Sequence, residues 1–263
     1  MNAKERQIVD AAVSIVAGMQ HELGMFGNGI AKWFEEHPDL HSSHPPAIHS
    51  VKSRLKDLDH VREKIERKLP SGKPINATNV FQRITDLAGV RVIHLYQRQF
   101  QIIHKSILKK IEAQRDWVLQ EFPKAYTWDP ESVAFFQSFG LECDLKESFY
   151  TSVHYVVRPR ADSPLCCEIQ VRTLFEEIWG EVDHAVNYPH PSEIAHCREQ
   201  LKVLAKLVGA GSRLVDSIFN SAAAADLPSK AQSKLSAKGF KGHLSKASLR
   251  RGLLNSRADK DHE

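Results

Sequence analysis

Two carboxylates and a row of cations carry the clearest chemistry in this sequence. Asp86 directly precedes the β-branched run Leu87-Ala88-Gly89-Val90-Arg91-Val92-Ile93. Glu168 lies in a second run, 166–172, in which Ile169 and Val171 alternate with Glu168, Gln170 and Arg172. Both runs read as core strands, so a single sheet can bring the two acids together. Lys56, His60, Lys64 and Arg67 recur at i, i+4, i+8 and i+11, which places them on one face of a helix. Transfer of a phosphoryl or pyrophosphoryl group asks little covalent work of a protein: cations position the phosphates, and magnesium held by carboxylates neutralises the developing charge. The plainer alternatives are a solvated basic helix face and two carboxylates paired locally, Asp86 with Arg91 and Glu168 with Arg172.

The elements that must position these groups follow from periodicity. Ile8, Ala12, Ile15, Val16, Met19 and Leu23 mark one face of a helix over 8–23, and the Gly-, His- and Pro-containing stretch 24–46 weakens that pattern. The spacing predicts a second helix over 46–69, with Ile48, Val51, Leu55, Leu58, Ile65 and Leu69 as its apolar stripe and Pro70-Ser71-Gly72 as its stop. After the strand at 87–93 comes a helix carrying Phe100, Ile103, Ile107, Leu108 and Ile111, then a short strand near Trp117-Val118-Leu119. Residues 121–140 carry no chemical signature and read as a lid or packing loop. Strands follow at 152–158 and 166–172. Thr173-Leu174-Phe175-Glu176 is a capping box that opens a helix with Phe175, Ile178, Trp179, Val182 and Val186 as its apolar face and Glu181, His184 and Tyr188 on a neighbouring face. A long amphipathic helix spans 192–223, and beyond Leu227 the Lys- and Ser-rich composition predicts a flexible basic tail.

Composition narrows the class. The 263 residues are 42% hydrophobic and 26% charged, ordinary for a globular protein and far from collagen, a disordered chain or a membrane-embedded one. Thirty-six basic residues against 32 acidic ones give a net charge of +4, which suits an anionic ligand without demanding nucleic acid. Cys143, Cys166, Cys167 and Cys197 form no C-x-x-C pair, and no signal peptide or spanning segment opens the chain, so it reads as a cytosolic protein without disulfides or zinc. No P-loop, dinucleotide fingerprint, nucleophile elbow or H-E-x-x-H motif offers a competing chemistry.

The order of these motifs resembles the RelA/SpoT synthetase family, and more closely its small, synthetase-only members, over roughly residues 53–188. Arg54, Lys56, His60 and Lys64 resemble the R-x-K-x-x-x-S-x-x-x-K segment that grips the ATP phosphates, with histidine in place of serine. Asp86-Leu87-Ala88-Gly89-Val90-Arg91 matches D-x-A-G-x-R, whose aspartate binds magnesium and whose arginine faces ATP. Lys146, Tyr150, Ser152 and His154 resemble the acceptor loop K-x-x-G-Y-R-S-x-H, with Phe149 where glycine is usual and Thr151 where arginine is usual. Glu168 to Thr173 fits E-I-Q-x-R-T, and His184-Ala185-Val186-Asn187-Tyr188 fits the H-x-x-x-Y that follows it.

The resemblance implies an α/β (α+β) fold, a mixed β-sheet flanked by helices and related to nucleotidyltransferases. It also implies a division into an N-terminal helical extension (1–45), a synthetase domain (46–191), an amphipathic helix (192–227) and a basic tail (228–263). The implied reaction moves the β,γ-pyrophosphate of ATP to the 3′-hydroxyl of GDP or GTP, with Mg2+ on Asp86 and Glu168. Arg54, Lys56, His60, Lys64 and Arg91 would bind ATP; Lys146, Tyr150, Ser152, His154, Gln170, His184, Asn187 and Tyr188 would bind the acceptor. Two alternatives stay open: a toxin-type enzyme that modifies the tRNA 3′ end, with an antitoxin as partner, and a non-catalytic nucleotide-sensing or RNA-binding module. Small members are often homo-oligomers, and the 192–223 helix offers a contact surface, although its stripe equally suits docking on its own core.

Overall fold

A computed structural model of the chain describes residues 1–69, 74–187 and 192–225. The stop at Pro70-Ser71-Gly72, Tyr188 and the basic tail lie outside the described residues.

Seven strands form one mixed sheet: β1 (Ser50–Leu55), β2 (Ala88–His94), β3 (Val118–Leu119), β4 (Lys124–Thr127), β5 (Glu142–Leu145), β6 (Ser152–Arg158) and β7 (Cys167–Thr173). Their order is β1-β2-β7-β6-β4-β5, with β3 beside the far end of β6. The central β2–β7 pair is parallel, and β1 and β6 flank it antiparallel.

Alternation along these strands sorts the two faces chemically. Ala88, Val90, Val92, Val153, Tyr155, Val157, Cys167, Ile169 and Val171 point into the main core, where helix α2 (Gln20–Glu36) packs on the sheet and apolar side chains of α1 (Ala3–Gly18) and α6 (Gln99–Leu108) join the same cluster. The register aligns the intervening residues across the other face: Lys52, Arg91, Gln170 and His154 in one row, and Arg54, Gly89 and Glu168 in the next. Helix α8 (Leu174–Asn187) crosses part of that face and α9 (Ala195–Ala225) packs on α8.

Several expectations need correction. The N-terminal helix does not run through 8–23: α1 begins earlier, on a complete Asn2/Glu5 capping box, and breaks at Met19. Val9, Ala12, Val13 and Val16 are its buried side chains, and Ile15 is exposed. Residues 24–36 then continue as α2, which packs on β1 and β2, with Gly27 facing Ala88.

The predicted helix over 46–69 is a strand followed by a helix. Residues 50–55 pair antiparallel with β2, and Asp57 caps α4 (Leu58–Lys68) by accepting from Asp59 N at 2.8 Å. Lys56 therefore sits before the helix, and only His60, Lys64 and Arg67 belong to it. Residues 121–140 are not a plain loop: they form β4 and α7 (Pro130–Gln137), which starts at the cap Asp129 with Pro130 behind it. On α8 the Thr173/Glu176 capping box is present, but Ile178 and Val182 face solvent while Glu177 is buried, drawn inward by three cations described below.

Candidate active site

The two acids lie at neighbouring strands, Asp86 in the turn before β2 and Glu168 within β7, and take different partners. Asp86, at the mouth of β2, accepts from Lys56 Nζ at 2.7 Å and Lys64 Nζ at 2.8 Å. Burial works to raise its pKa, but the two lysines outweigh burial and bring it down to about 2. Lys56 precedes α4 and Lys64 lies two turns into it, so the cap at Asp57 sets the angle at which both reach one carboxylate.

Glu168, the second residue of β7, is braced from both sides. Its Oε1 meets His154 Nδ1 at 3.1 Å and its Oε2 accepts from Gln170 Nε2 at 2.5 Å. Burial opposes its charge, yet these contacts hold its pKa below the ordinary glutamate value. The other ring nitrogen of His154 lies 2.9 Å from the Tyr150 hydroxyl, so Tyr150, His154 and Glu168 form one chain of hydrogen bonds. Burial raises the Tyr150 pKa and keeps the phenol protonated.

The local pairings Asp86–Arg91 and Glu168–Arg172 are not made. Arg91 binds Glu177 at 3.1 Å and Glu181 at 2.6 Å, while Arg172 pairs with Glu177, which Lys52 also approaches at 3.5 Å. Glu177 is thus a buried anion shared by three cations from β1, β2 and β7. Arg172 also lies 5.9 Å from the centre of the Tyr150 ring. A β-carbon at Gly180 would come within 2.9 Å of Arg172 Nη1, so the glycine makes room for the guanidinium. Neither Arg172 nor Glu177 was among the candidate residues. The signal for Arg172 was its place in the polar alternation of β7; Glu177, one residue from the apolar Ile178 and Trp179, gave none.

Two adjoining clefts open on this face. One, of about 740 Å3, is bounded by Arg54, Lys56, His60, Lys64, Arg67 and Arg91, with Asp57, Glu63 and Glu66 among them. The other, of about 510 Å3, is bounded by Tyr150, Gln170, Arg172, Gly180, Asp183 and Asn187. Arg54, Arg91 and His184 border both. Every cationic side chain expected at ATP therefore lines the first cleft, and Tyr150, Gln170, His184 and Asn187 line the second. Lys146 lines neither: it pairs with Asp144 at 2.8 Å and lies over Tyr126 at 4.5 Å. Ser152 is buried, its hydroxyl donating to the Val171 carbonyl at 3.4 Å.

Beneath the second cleft, Trp128, Phe149, Tyr150, Phe175 and Trp179 pack with Leu204, Ala205 and Val208 of α9. Phe149 has φ of 64°, a left-handed conformation that costs a residue with a β-carbon about 1–2 kcal/mol, and its ring lies 5.0 Å from that of Trp128.

Asp86 and Glu168 are close enough that the charge on Asp86 acts on Glu168. Among the described residues no group of three or more His, Cys, Asp or Glu side chains could hold a metal alone. Two hard carboxylate donors beside a cleft rich in lysine and arginine fit Mg2+, which is commonly held by one or two carboxylates together with substrate phosphates. Among the described residues, no helix is long and apolar enough to cross a membrane.

A family model described as a region found in RelA / SpoT proteins matches residues 53–193. The GTP pyrophosphokinase YjbM of Bacillus subtilis (strain 168) is 26% identical over 203 residues, 73% of this chain and 78% of that protein. The GTP pyrophosphokinase YwaC of the same organism is 24% identical over 179 residues, 66% of this chain and 73% of its own. Among solved structures, the small alarmone synthetase 1 of Bacillus subtilis bound to its product pppGpp superposes with a TM-score of 0.55 at 22% identity. That match covers 79% of this chain and 94% of the other.

Proposed function

We propose that this chain, which belongs to the RelA/SpoT family, is a small alarmone synthetase that transfers the β,γ-pyrophosphate of ATP to the 3′-hydroxyl of a guanine nucleotide. The observation that carries the reading is the pair of clefts meeting at Arg54, Arg91 and His184, one rich in cations and the other with an aromatic platform, with Asp86 just before β2 and Glu168 on the neighbouring strand β7. The curated relatives carry the same activity in their names, GTP pyrophosphokinase.

In this reading Arg54, Lys56, Lys64 and Arg91 hold the ATP phosphates, with His60 at the rim of the same cleft. Tyr150 stacks on the acceptor base, and Gln170, His184 and Asn187 bound the cleft around it. Asp86 and Glu168 would hold Mg2+, which when bound supplies charge neutralisation on the phosphates. Glu168 stays ionised near neutral pH and takes the proton of the attacking hydroxyl, while His154 fixes the rotamer of that carboxylate. The bond formed joins the 3′-oxygen to the β-phosphorus; the bond broken links that phosphorus to the α,β-bridging oxygen, and AMP leaves. Catalysis is then mainly positioning and electrostatics.

The test is transfer of label from γ-labelled ATP with Mg2+ and GDP, GTP, no acceptor or deacylated tRNA. Label on a guanine nucleotide is the expected result. Label only on tRNA would make the chain a translation toxin, and no transfer to any acceptor would favour a nucleotide-sensing role.

A further inference from the structure

The acceptor cleft has a wall that the reading above leaves unused. Gly180, Asp183 and Asn187 lie at i, i+3 and i+7 along α8, so they share the helix face that bounds this cleft together with Tyr150 and Gln170. A base stacked on Tyr150 presents its edge to whatever lines that wall.

The hydrogen bonds of the wall are already allocated on one side. Asn187 Nδ2 donates to Asp183 Oδ1 at 2.8 Å, and Asn187 Oδ1 accepts from Ser192 N at 3.0 Å. Ser192 is itself held, its carbonyl accepting from Arg198 Nη1 at 3.0 Å. Each end of the Asn187 amide therefore holds one partner, which fixes its orientation, and one oxygen of Asp183 is fixed by it. Among the described residues, Asp183 Oδ2 has no partner. Gln170 also spends its amide nitrogen, on Glu168. The charged group that the α8 wall offers a base is a carboxylate oxygen, which accepts and cannot donate while ionised.

Guanine matches that surface. Its N1–H and 2-amino group are adjacent donors, whereas adenine presents an acceptor at N1 and no 2-amino group. Hypoxanthine keeps N1–H and lacks the amino group; xanthine replaces the amino group with a carbonyl oxygen. We infer that Asp183, aligned by Asn187, is the residue that reads the acceptor base and selects guanine. The inference rests on the proposed assignment of this cleft to the acceptor, and it names a residue outside the motifs that suggested that assignment.

Asp183→Asn converts the reader by one atom. Asn187 Nδ2 continues to hold the Oδ1 carbonyl, so the amide nitrogen turns outward and offers a donor, which repels the guanine amino group and suits the xanthine oxygen. Titration calorimetry of wild type and Asp183→Asn with GDP and with the diphosphates of inosine, xanthosine and adenosine, without ATP, reads this directly. Wild type should bind GDP about ten-fold or more tighter than the inosine and adenosine diphosphates, since hydrogen bonds to a charged group discriminate at that scale. The variant should move the ratio of GDP to xanthosine diphosphate affinity by about a hundred-fold toward xanthosine.

Equal binding of GDP and inosine diphosphate by wild type would overturn the inference without any appeal to the variant's folding. So would an unchanged GDP to xanthosine diphosphate ratio, or no binding of any of the four. A shifted ratio with no label transferred from ATP to any acceptor would leave the base reader standing and remove the pyrophosphate-transfer reading instead.

Discussion

The two clefts are built by different physics. The one beside α4 is held by ion pairs: Asp86 with Lys56 and Lys64, and Arg91 with Glu177 and Glu181. The one beside Tyr150 rests on aromatic packing supplied by Trp128, Phe149, Phe175 and Trp179 with α9 beneath them. Ion pairs exchange partners at small cost when another charge arrives, whereas packed rings must stay in place to keep their dispersion contacts. The first cleft is thus suited to charged phosphates and a cation, and the second to a flat base that needs a platform already formed. Substitutions on the ionic side should change turnover more than stability, and those on the aromatic side should change acceptor affinity and stability together.

The largest expected effect is at the acids. Asp86→Asn or Glu168→Gln should lower kcat on the order of 10³-fold, the scale at which charge stabilisation of a transferring group is lost, an effect far larger than the drop in Tm that follows from removing a carboxylate the fold holds ionised. Steady-state transfer assays with matched melting curves check this, and full activity in Asp86→Asn would break the contrast at its ionic end. Next, Tyr150→Ala should raise KM for the acceptor about ten- to a hundred-fold and leave KM for ATP near its original value, because one base–aromatic stack contributes about 1–3 kcal/mol. An equal rise in both constants would show that the two clefts are not separable.

The smaller effects sharpen the aromatic end. Phe149→Ala and Phe149→Gly both remove the ring from Trp128, but only glycine also relieves the left-handed backbone. The glycine variant should therefore be the more stable of the two by about 1 kcal/mol in denaturant titrations. Both should fall below wild type, since the lost contacts outweigh the relief.

Glu176 lines a small cavity with Trp128, Phe149 and Trp179, and burial raises its pKa from 4.5 to about 7. A carboxyl raised in the fold favours the folded state while it is protonated. Its contribution is complete below pH 4.5 and is lost as pH climbs through 7, so it weakens the protein at neutral pH. Glu176→Gln keeps the cap and should flatten that part of the Tm profile by a few degrees or less. A profile as steep as wild type between these limits would place the titration elsewhere.

What was legible in the sequence tracks how strongly each segment commits to one period. The β-branched runs of β2, β6 and β7, the apolar face of α6 and the Thr173/Glu176 box all stand where their patterns place them. The segment 50–55 does not, because Val51 and Leu55 are four apart and mimic a helical stripe, while an edge strand with exposed polar residues shows no clean alternation. Asp57 was the sign of the break. Asp129-Pro130 was the equivalent sign for α7, the pattern of a cap followed by proline in the first turn.

In the site, the types and order of Asp86, Glu168, Lys56, Lys64 and Tyr150 were readable; Lys56, Lys64 and Tyr150 line the clefts, while Asp86 and Glu168 line neither and are tied to them through Lys56, Lys64 and Gln170. Their partners were not. That Asp86 takes two lysines rather than Arg91, that Glu177 gathers three cations, and that Phe149 accepts a conformation suited to glycine all depend on chain segments up to 125 residues apart (Lys52 to Glu177) meeting across one sheet face.

The double lysine clasp on Asp86 bears on how easily the site empties as well as how it fills. In the proposed reaction an arriving nucleotide brings phosphates that can take Lys56 and Lys64, together with a cation that can take the carboxylate. Such an exchange would leave each charge with a partner at its end as well as at its start. Occupied and empty states are then both well paired, and affinity is the difference between two satisfied arrangements. Such a site trades tight holding for reversibility, which suits an enzyme that must let its spent nucleotide go after every turnover.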